Sequence, residues 1–279
     1  MNTTGHLDYL SVTFPAGFNV NRLSPYLGDW LEGGNAPHGW EWKRVSKLGA
    51  YAYGGGDPRM MTHVTMGGIV LQAVRSLPVP DKDFLMTIAS MHGRCTRVDV
   101  CVNMMDADCT VQDLWDLAVD GRARMRAKPD KRYKSPDGQK LTNDGFYIGA
   151  PSSDKRLRVY DKAVELNIAA RWVRVELQTN KKKANGVQGM LTGADSTRGA
   201  INALIKDFCL FFHPSYTEAL SQLDGEIPTT PRKEEAFWKW LRLQVVPAMA
   251  RRQKEHPEED VIARIEAMLD EACTNLTKL

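Results

Sequence analysis

Two stretches of alternating apolar and polar residues, 6–14 and 96–104, limit the possible folds more than any other feature. A strand with one apolar and one polar face must lie in a sheet covered on one side only. The first stretch stops at Pro15, and each puts an aspartate, Asp8 or Asp99, on the face opposite its apolar residues. Shorter strand-like runs follow each of them, at 50–56 and 61–67 after the first and at 145–149 and 156–162 after the second. Asp8 precedes Gly54 by 46 residues and Asp99 precedes Gly149 by 50, so the two halves read as an internal repeat. Each half has room for a helix behind its leading strand, at 21–32 and at 110–127, the latter with Leu114, Leu117 and Ala118 at helical spacing. The expected class is α+β, with two related antiparallel sheets and packed helices.

A last strand, 171–178, runs towards Lys181, Lys182 and Lys183. From 197 onward the pattern is helical: 197–212, 234–252 and 258–276 carry apolar residues at three-and-four spacing, punctuated by Pro228, Pro231, Pro247 and Pro257. The expected division is therefore an α+β domain over 1–195, built from halves of about 1–90 and 91–195, and a helical region over 196–279. In that region Trp238 and Trp240 sit at core spacing, and Arg251, Arg252 and Lys254 form a basic helix end. No apolar run is long enough to span a bilayer, and the first residues lack the basic start and apolar stretch of a secretory signal. Cys95, Cys101, Cys109, Cys209 and Cys273 form no Cys-x-x-Cys pair and read as small buried apolar groups, so a cytoplasmic location is expected.

The net charge of +3 hides an asymmetry, since residues 122–183 hold 17 Lys or Arg against 7 Asp or Glu. A basic centre within an otherwise acidic chain is the electrostatic footprint of a phosphate backbone. Several chemistries lack their residues: there is no Gly-x-x-x-x-Gly-Lys loop, no Gly-x-Gly-x-x-Gly, no His-Glu-x-x-His and no Gly-x-Ser-x-Gly. His6, His38, His63, His92, His213 and His256 are scattered, with no two histidines at short spacing and only single Cys neighbours, Cys95 near His92 and Cys209 near His213, which argues against a zinc site.

The strand at 156–162 puts Arg156, Arg158, Tyr160 and Lys162 on one face and Leu157, Val159 and Asp161 on the other. A tyrosine flanked by three cations is expected to favour phenolate and to attract phosphate, the two requirements for attack on a phosphodiester. Asp99 and Glu176 project from strand faces turned away from the apolar core, each two residues after an arginine, Arg97 or Arg174. Carboxylates in that position suit Mg²⁺ or Mn²⁺, which polarise phosphoryl oxygens. The same residues are also compatible with a packed surface aromatic and two Arg–carboxylate bridges.

Taken in order, Arg97-Val98-Asp99, then Tyr147-Ile148-Gly149, then Ser153 with Arg158-Val159-Tyr160-Asp161-Lys162, then Arg174-Val175-Glu176, resemble the replication initiation factors of the Rep-trans type. These are initiators and relaxases of rolling-circle plasmids, integrative elements and filamentous phages. The opening strand also looks like theirs, and the likeness covers roughly 7–210. One departure lies in the turn, where Gly149 is followed by Ala150 and Pro151 rather than by the Gly-Ser or Gly-Arg common in relatives.

The resemblance implies a rolling-circle initiator that nicks one strand of a single-stranded or extruded origin and later rejoins it. Tyr160 would become joined to the 5′ phosphate, with Asp99 and Glu176 as ligands of Mg²⁺ or Mn²⁺. Arg158, Lys162 and Arg174 would hold phosphate. Arg97, Arg156, Lys181, Lys182 and Lys183 are further candidates for DNA contact, and Asp8, His63 and Asp106 are candidates for a third ligand. Host helicase and polymerase are the implied partners, no membrane is involved, and a homodimer is compatible with the reading. Two other readings stay open: a catalytically inactive, sequence-specific DNA-binding regulator with the same fold, and a metal-dependent nuclease that uses water. A His-hydrophobic-His metal pair is missing, as is the His-x-x-Arg of tyrosine recombinases.

Overall fold

A computed structural model describes residues 2–37, 39–55, 60–77, 81–134 and 144–223, with Gln253, Asp260, Ala263 and Arg264. The first half comprises β1 (Asn2–Phe14), a 3-10 turn (Val20–Leu23), α1 (Ser24–Leu27), β2 (Trp30–Glu32), β3 (Trp42–Ser46), β4 (Tyr51–Gly54), β5 (Thr62–Met66), α2 (Gly68–Arg75) and α3 (Asp81–Ser90). The second comprises β6 (Arg94–Met105), α4 (Val111–Val119), β7 (Ala123–Met125), β8 (Pro129–Lys134), β9 (Asp144–Ile148), β10 (Lys155–Asp161), α5 (Lys162–Leu166) and β11 (Trp172–Asn180). Then follow α6 (Lys181–Gly193), α7 (Thr197–Phe208), β12 (Cys209–Phe211) and α8 (Pro214–Ser221).

The fold is α+β, and its two antiparallel halves join edge to edge in one ten-stranded sheet of order β2-β3-β4-β5-β1-β6-β11-β10-β9-β8, while β12 and β7 form a separate pair. Outward from the central β1–β6 pair, β5-β4-β3-β2 on one side mirrors β11-β10-β9-β8 on the other. One face of this sheet is the core. Leu10, Val12, Val98, Val100, Val102, Val175, Leu177, Leu157 and Val159 are fully buried in one cluster with residues of α3, α4, α6 and α7. Each such side chain contributes about 1.5–3 kcal/mol.

The central pair carries a bulge between Leu7 and Tyr9, opposite Val100 and Asp99. Its extra residue is Asp8. Leu7 and Leu10 both enter the core although three apart, so Asp8 and Tyr9 both face away from it.

Both expected helices are shorter than their apolar patterns. In the first half the helical segment ends at Gly28 (φ 72°), and β2 takes up residues 30–32. The second, α4, starts on a capping box between Thr110 and Asp113 and stops at Asp120, before Gly121 (φ 74°) turns the chain into β7. The protein divides into two compact units, Met1–Pro228 and Thr229–Leu279. α7 and α8 thus belong to the first unit, beyond the 195/196 boundary expected from sequence. In the second unit, Arg264 N donates to Asp260 O (3.1 Å) in a helical turn. The helices expected at 234–252 and 258–276, the Trp238/Trp240 pair and the basic 251–254 end lie outside the described residues, apart from isolated positions.

Candidate active site

The face turned away from the apolar core around β6, β11 and β10 gathers most of the residues singled out above. Cross-strand pairing sets Arg174 beside Asn103 and Tyr160, Glu176 beside Cys101 and Arg158, and His6 beside Cys101. Tyr160 is only 2% exposed, and its hydroxyl donates to Glu176 Oε2 at 3.2 Å. The Arg158 guanidinium lies 3.8 Å over the Tyr160 ring and its Nε donates to Tyr133 OH (2.8 Å). Lys162 opens α5, pairs with Glu165, and holds its ammonium 5.7 Å from the same ring centroid.

Arg174 is the hub. Its Nε donates to Asn103 Oδ1 (2.7 Å), and its Nη1 donates to Asp8 Oδ1 (2.7 Å) and Tyr160 OH (3.5 Å). Asn103 is buried, accepts a second bond from Trp172 Nε1 (2.9 Å) and donates to Thr4 Oγ1 (3.0 Å). Arg97 grips Asp99 through Nε (3.0 Å to Oδ1) and Nη2 (2.6 Å to Oδ2).

Three carboxyls, Asp8, Asp99 and Glu176, crowd this face. Burial raises Glu176 most, and the charges of Asp8 and Asp99 add to it. Burial likewise raises Asp99, despite its bond to Arg97. A divalent cation bound there would offset the repulsion and the lost hydration together, and an all-oxygen set suits Mg²⁺ or Mn²⁺. Of the three candidates for a third ligand, Asp8 is in the site. His63 instead bonds Thr13 Oγ1 through Nδ1 (3.1 Å), and Asp106 lies past the end of β6, its N–H on Arg171 O (3.0 Å).

Sequence reasoning passed over a second donor set. His6, Asp8 and Cys101 bring one ligand atom each within 4.8 Å of one another, the one such His/Cys/Asp/Glu group among the described residues. Burial, followed by Arg75, Arg174 and Lys162, holds His6 down at about 3 and hence neutral, while burial pushes the Cys101 thiol up. The two lie far apart in sequence and meet only through the β1–β6 register, although each stands two residues from an aspartate on the same strand face. Asn103, Tyr133 and Glu165 were also missed.

The electrostatics of Tyr160 differ from the expectation. Burial, then the charge of Glu176, raises its phenol above the ordinary range, and Arg174 only partly opposes them. The flanking cations do not make a resting phenolate, because burial and the charge of Glu176 outweigh them, and Arg158 and Lys162 also pair with Tyr133 and Glu165. Arg156 lies on the same face but is tied to Asp130 (2.9 Å), to Gly149 O (3.0 Å) and over the Tyr147 ring (3.6 Å). Lys181, Lys182 and Lys183 are exposed at the start of α6, which packs on the core side, and Lys181 bonds Asp154 (3.0 Å).

Residues 93–265 match the family described as replication initiation factor. The chain belongs to that family. The match takes in the whole of β6, β10 and β11, and membership makes replication initiation its process. Among solved structures, the rolling circle replication initiator protein from Geobacillus stearothermophilus has the same fold, with a TM-score of 0.69 at 19% identity, covering 80% of this chain and 97% of that one. Comparison with curated proteins gives no match. In this replication initiation factor, no helix among the described residues is long and apolar enough to cross a membrane.

Proposed function

We propose that this replication initiation factor nicks and rejoins one strand of origin DNA through Tyr160. The observation that carries the reading is the contact of the Tyr160 hydroxyl with Glu176 Oε2 (3.2 Å) and Arg174 Nη1 (3.5 Å), beside three crowded carboxyls. Glu176 Oε2, within hydrogen-bond distance of the phenol, takes its proton. The phenol oxygen then bonds to phosphorus as the bond to the 3′ oxygen breaks. Tyr160 is left on the 5′ phosphate and, after proton uptake from solvent, a 3′ hydroxyl is free for extension. Rejoining runs in reverse and conserves the phosphodiester bond energy, so no nucleotide is consumed.

Asp99 and Glu176, with Asp8, would hold Mg²⁺ or Mn²⁺ once their carboxyl oxygens draw together, since among the described residues only His6, Asp8 and Cys101 set ligand atoms within 4.8 Å of one another, and the ion when bound would supply charge stabilisation to the phosphoryl oxygens. Arg174 and Arg158 orient the nucleophile and, with Lys162, face the phosphate. Arg97, Arg156 and Lys181–Lys183 are assigned to backbone contact away from the reacting atoms. The substrate is single-stranded or extruded origin DNA, with host helicase and polymerase acting downstream.

Incubation with end-labelled single-stranded DNA from the origin of the encoding element, plus Mn²⁺, followed by a denaturing gel, tests the reading. Wild type is expected to yield a protein–DNA adduct and Tyr160→Phe none. Cleavage without adduct would assign a water-using nuclease instead, and binding without cleavage would assign a silent regulator.

A further inference from the structure

The half of the sheet opposite the reactive tyrosine repeats its architecture without its chemistry. β4 stands where β10 stands, two strands out from the centre, and it too carries tyrosines on the face away from the core, Tyr51 and Tyr53. The neighbouring β5 offers His63 and Thr65 where β11 offers Arg174 and Glu176. Tyr51 and Tyr53 therefore have no carboxyls opposite them on β5.

They form an aromatic surface instead. Tyr51 is 42% exposed and Tyr53 and Tyr9 are partly exposed, while their strand neighbours Ala52, Val64 and Leu10 are fully buried on the other face. Burial raises the Tyr53 phenol, and the Tyr51 and Tyr9 phenols add to it, so the three share one patch. The Trp40 ring lies 6.4 Å from that of Tyr53. Two cations sit on the rings: Lys43 Nζ is 4.9 Å from the Tyr51 centroid and Arg97 Cζ is 4.2 Å from that of Tyr9. The patch is continuous with the carboxyl site, since Tyr9 pairs with Asp99 across the central strands and Arg97 bonds Asp99.

We infer that this first-half face, built from Tyr9, Trp40, Lys43, Tyr51 and Tyr53, is a stacking platform for single-stranded DNA leading away from the nicking site. Its location rests on the nicking reading, but its chemistry does not. Successive bases offer π-faces to exposed aromatics and the cations meet the phosphates between them, a mode tolerant of sequence. Tyr51 and Tyr53, two apart on one strand, stand about 7 Å apart along it, a spacing open to separate bases.

The test uses full-length Tyr160→Phe protein in EDTA, so that nicking cannot contribute. An oligothymidylate of about 20 nucleotides carrying 5-iodouracil is photocrosslinked and mapped, and its unsubstituted form is titrated by fluorescence anisotropy. Crosslinks are expected at Tyr51, Tyr53 or Trp40. Tyr51→Ala and Tyr53→Ala should each weaken binding by about 5- to 150-fold, whereas Tyr51→Phe, which keeps the ring, should stay within about twofold of the parent. A Tyr51→Phe protein that binds normally also shows that the strand tolerates change there. Crosslinks confined to residues 144–180, alanine variants within twofold of the parent, or equal affinity for a duplex would overturn the inference. Failure of wild type to form an adduct with origin DNA would sink the nicking reading and leave these results standing.

Discussion

Tyr160 and Glu176 are diagonal rather than direct neighbours: in the β10–β11 pairing Tyr160 stands opposite Arg174 and Glu176 opposite Arg158, yet the phenol reaches across to Glu176 Oε2 at 3.2 Å. The diagonal sets an acid–base pair between two guanidinium groups, each within reach of the same ring or hydroxyl.

Replacing Tyr160 by Phe removes the donor to a buried acceptor as well as the proposed nucleophile. Adduct formation is expected to vanish while stability in urea falls by about 1–3 kcal/mol. A persistent adduct would move the nucleophile to another tyrosine such as Tyr147, whose ring lies under Arg156.

Glu176 sets a pH signature. Burial and two neighbouring carboxyls push it up from 4.5 to about 7, so between those values the folded protein without metal holds more proton than the unfolded chain and stability falls as pH rises. His6, lowered from 6.5 to about 3, works in the opposite direction over its own range. The difference between wild type and Glu176→Gln isolates the carboxyl. In EDTA, thermal unfolding should show wild type losing ground to the variant from about pH 4.5 to 7, and Mn²⁺ should reverse that loss for wild type alone. Parallel curves for the two proteins would refute the assignment.

Asn103→Ala should be costly out of proportion to its size. It strips the acceptor from both Arg174 Nε and Trp172 Nε1, leaving a buried cation one bond short. A loss of about 2–4 kcal/mol by chemical denaturation is expected. Adduct formation should slow because Arg174 is no longer fixed against Tyr160, and a variant as active and as stable as wild type would contradict this.

Arg158→Lys keeps the charge but not the geometry, since an ammonium cannot both cover the Tyr160 ring and bond Tyr133 OH. Adduct formation is expected to slow roughly ten- to a hundredfold, with the salt dependence of DNA binding unchanged because the charge is retained. A change in salt slope with a normal rate would make Arg158 a simple phosphate contact.

The strands that build the site were legible because each has one polar and one apolar face. Val98, Val100 and Val102 alternate with Arg97, Asp99, Cys101 and Asn103, and the apolar cluster takes only the first set, although Asp99, Cys101 and Asn103 are buried as well. Short elements escaped notice for want of a period: β2 and β7 have three residues each, and Gly28 and Gly121 cut the apolar patterns that read as longer helices. α6 was legible but overlooked behind its lysines, since Ala184, Val187, Gln188 and Leu191 follow helical spacing and are its buried face. Within the site, Tyr160, Asp99 and Glu176 stood out as polar residues in strand patterns. The bonds of Asn103 to Arg174 and Thr4, and the meeting of His6 with Cys101, arise from pairing between strands about 70 to 100 residues apart, which no local pattern encodes.

The bulge that turns Asp8 outward makes the reactive centre a product of the seam. Asp8 comes from one half of the repeat, and Tyr160, Asp99 and Glu176 come from the other, with Arg174 joined to Asp8 across the central strands. On the proposed mechanism neither half could act alone. Separately expressed fragments cut near residue 92 would be inert apart, and activity would return only on their reassembly.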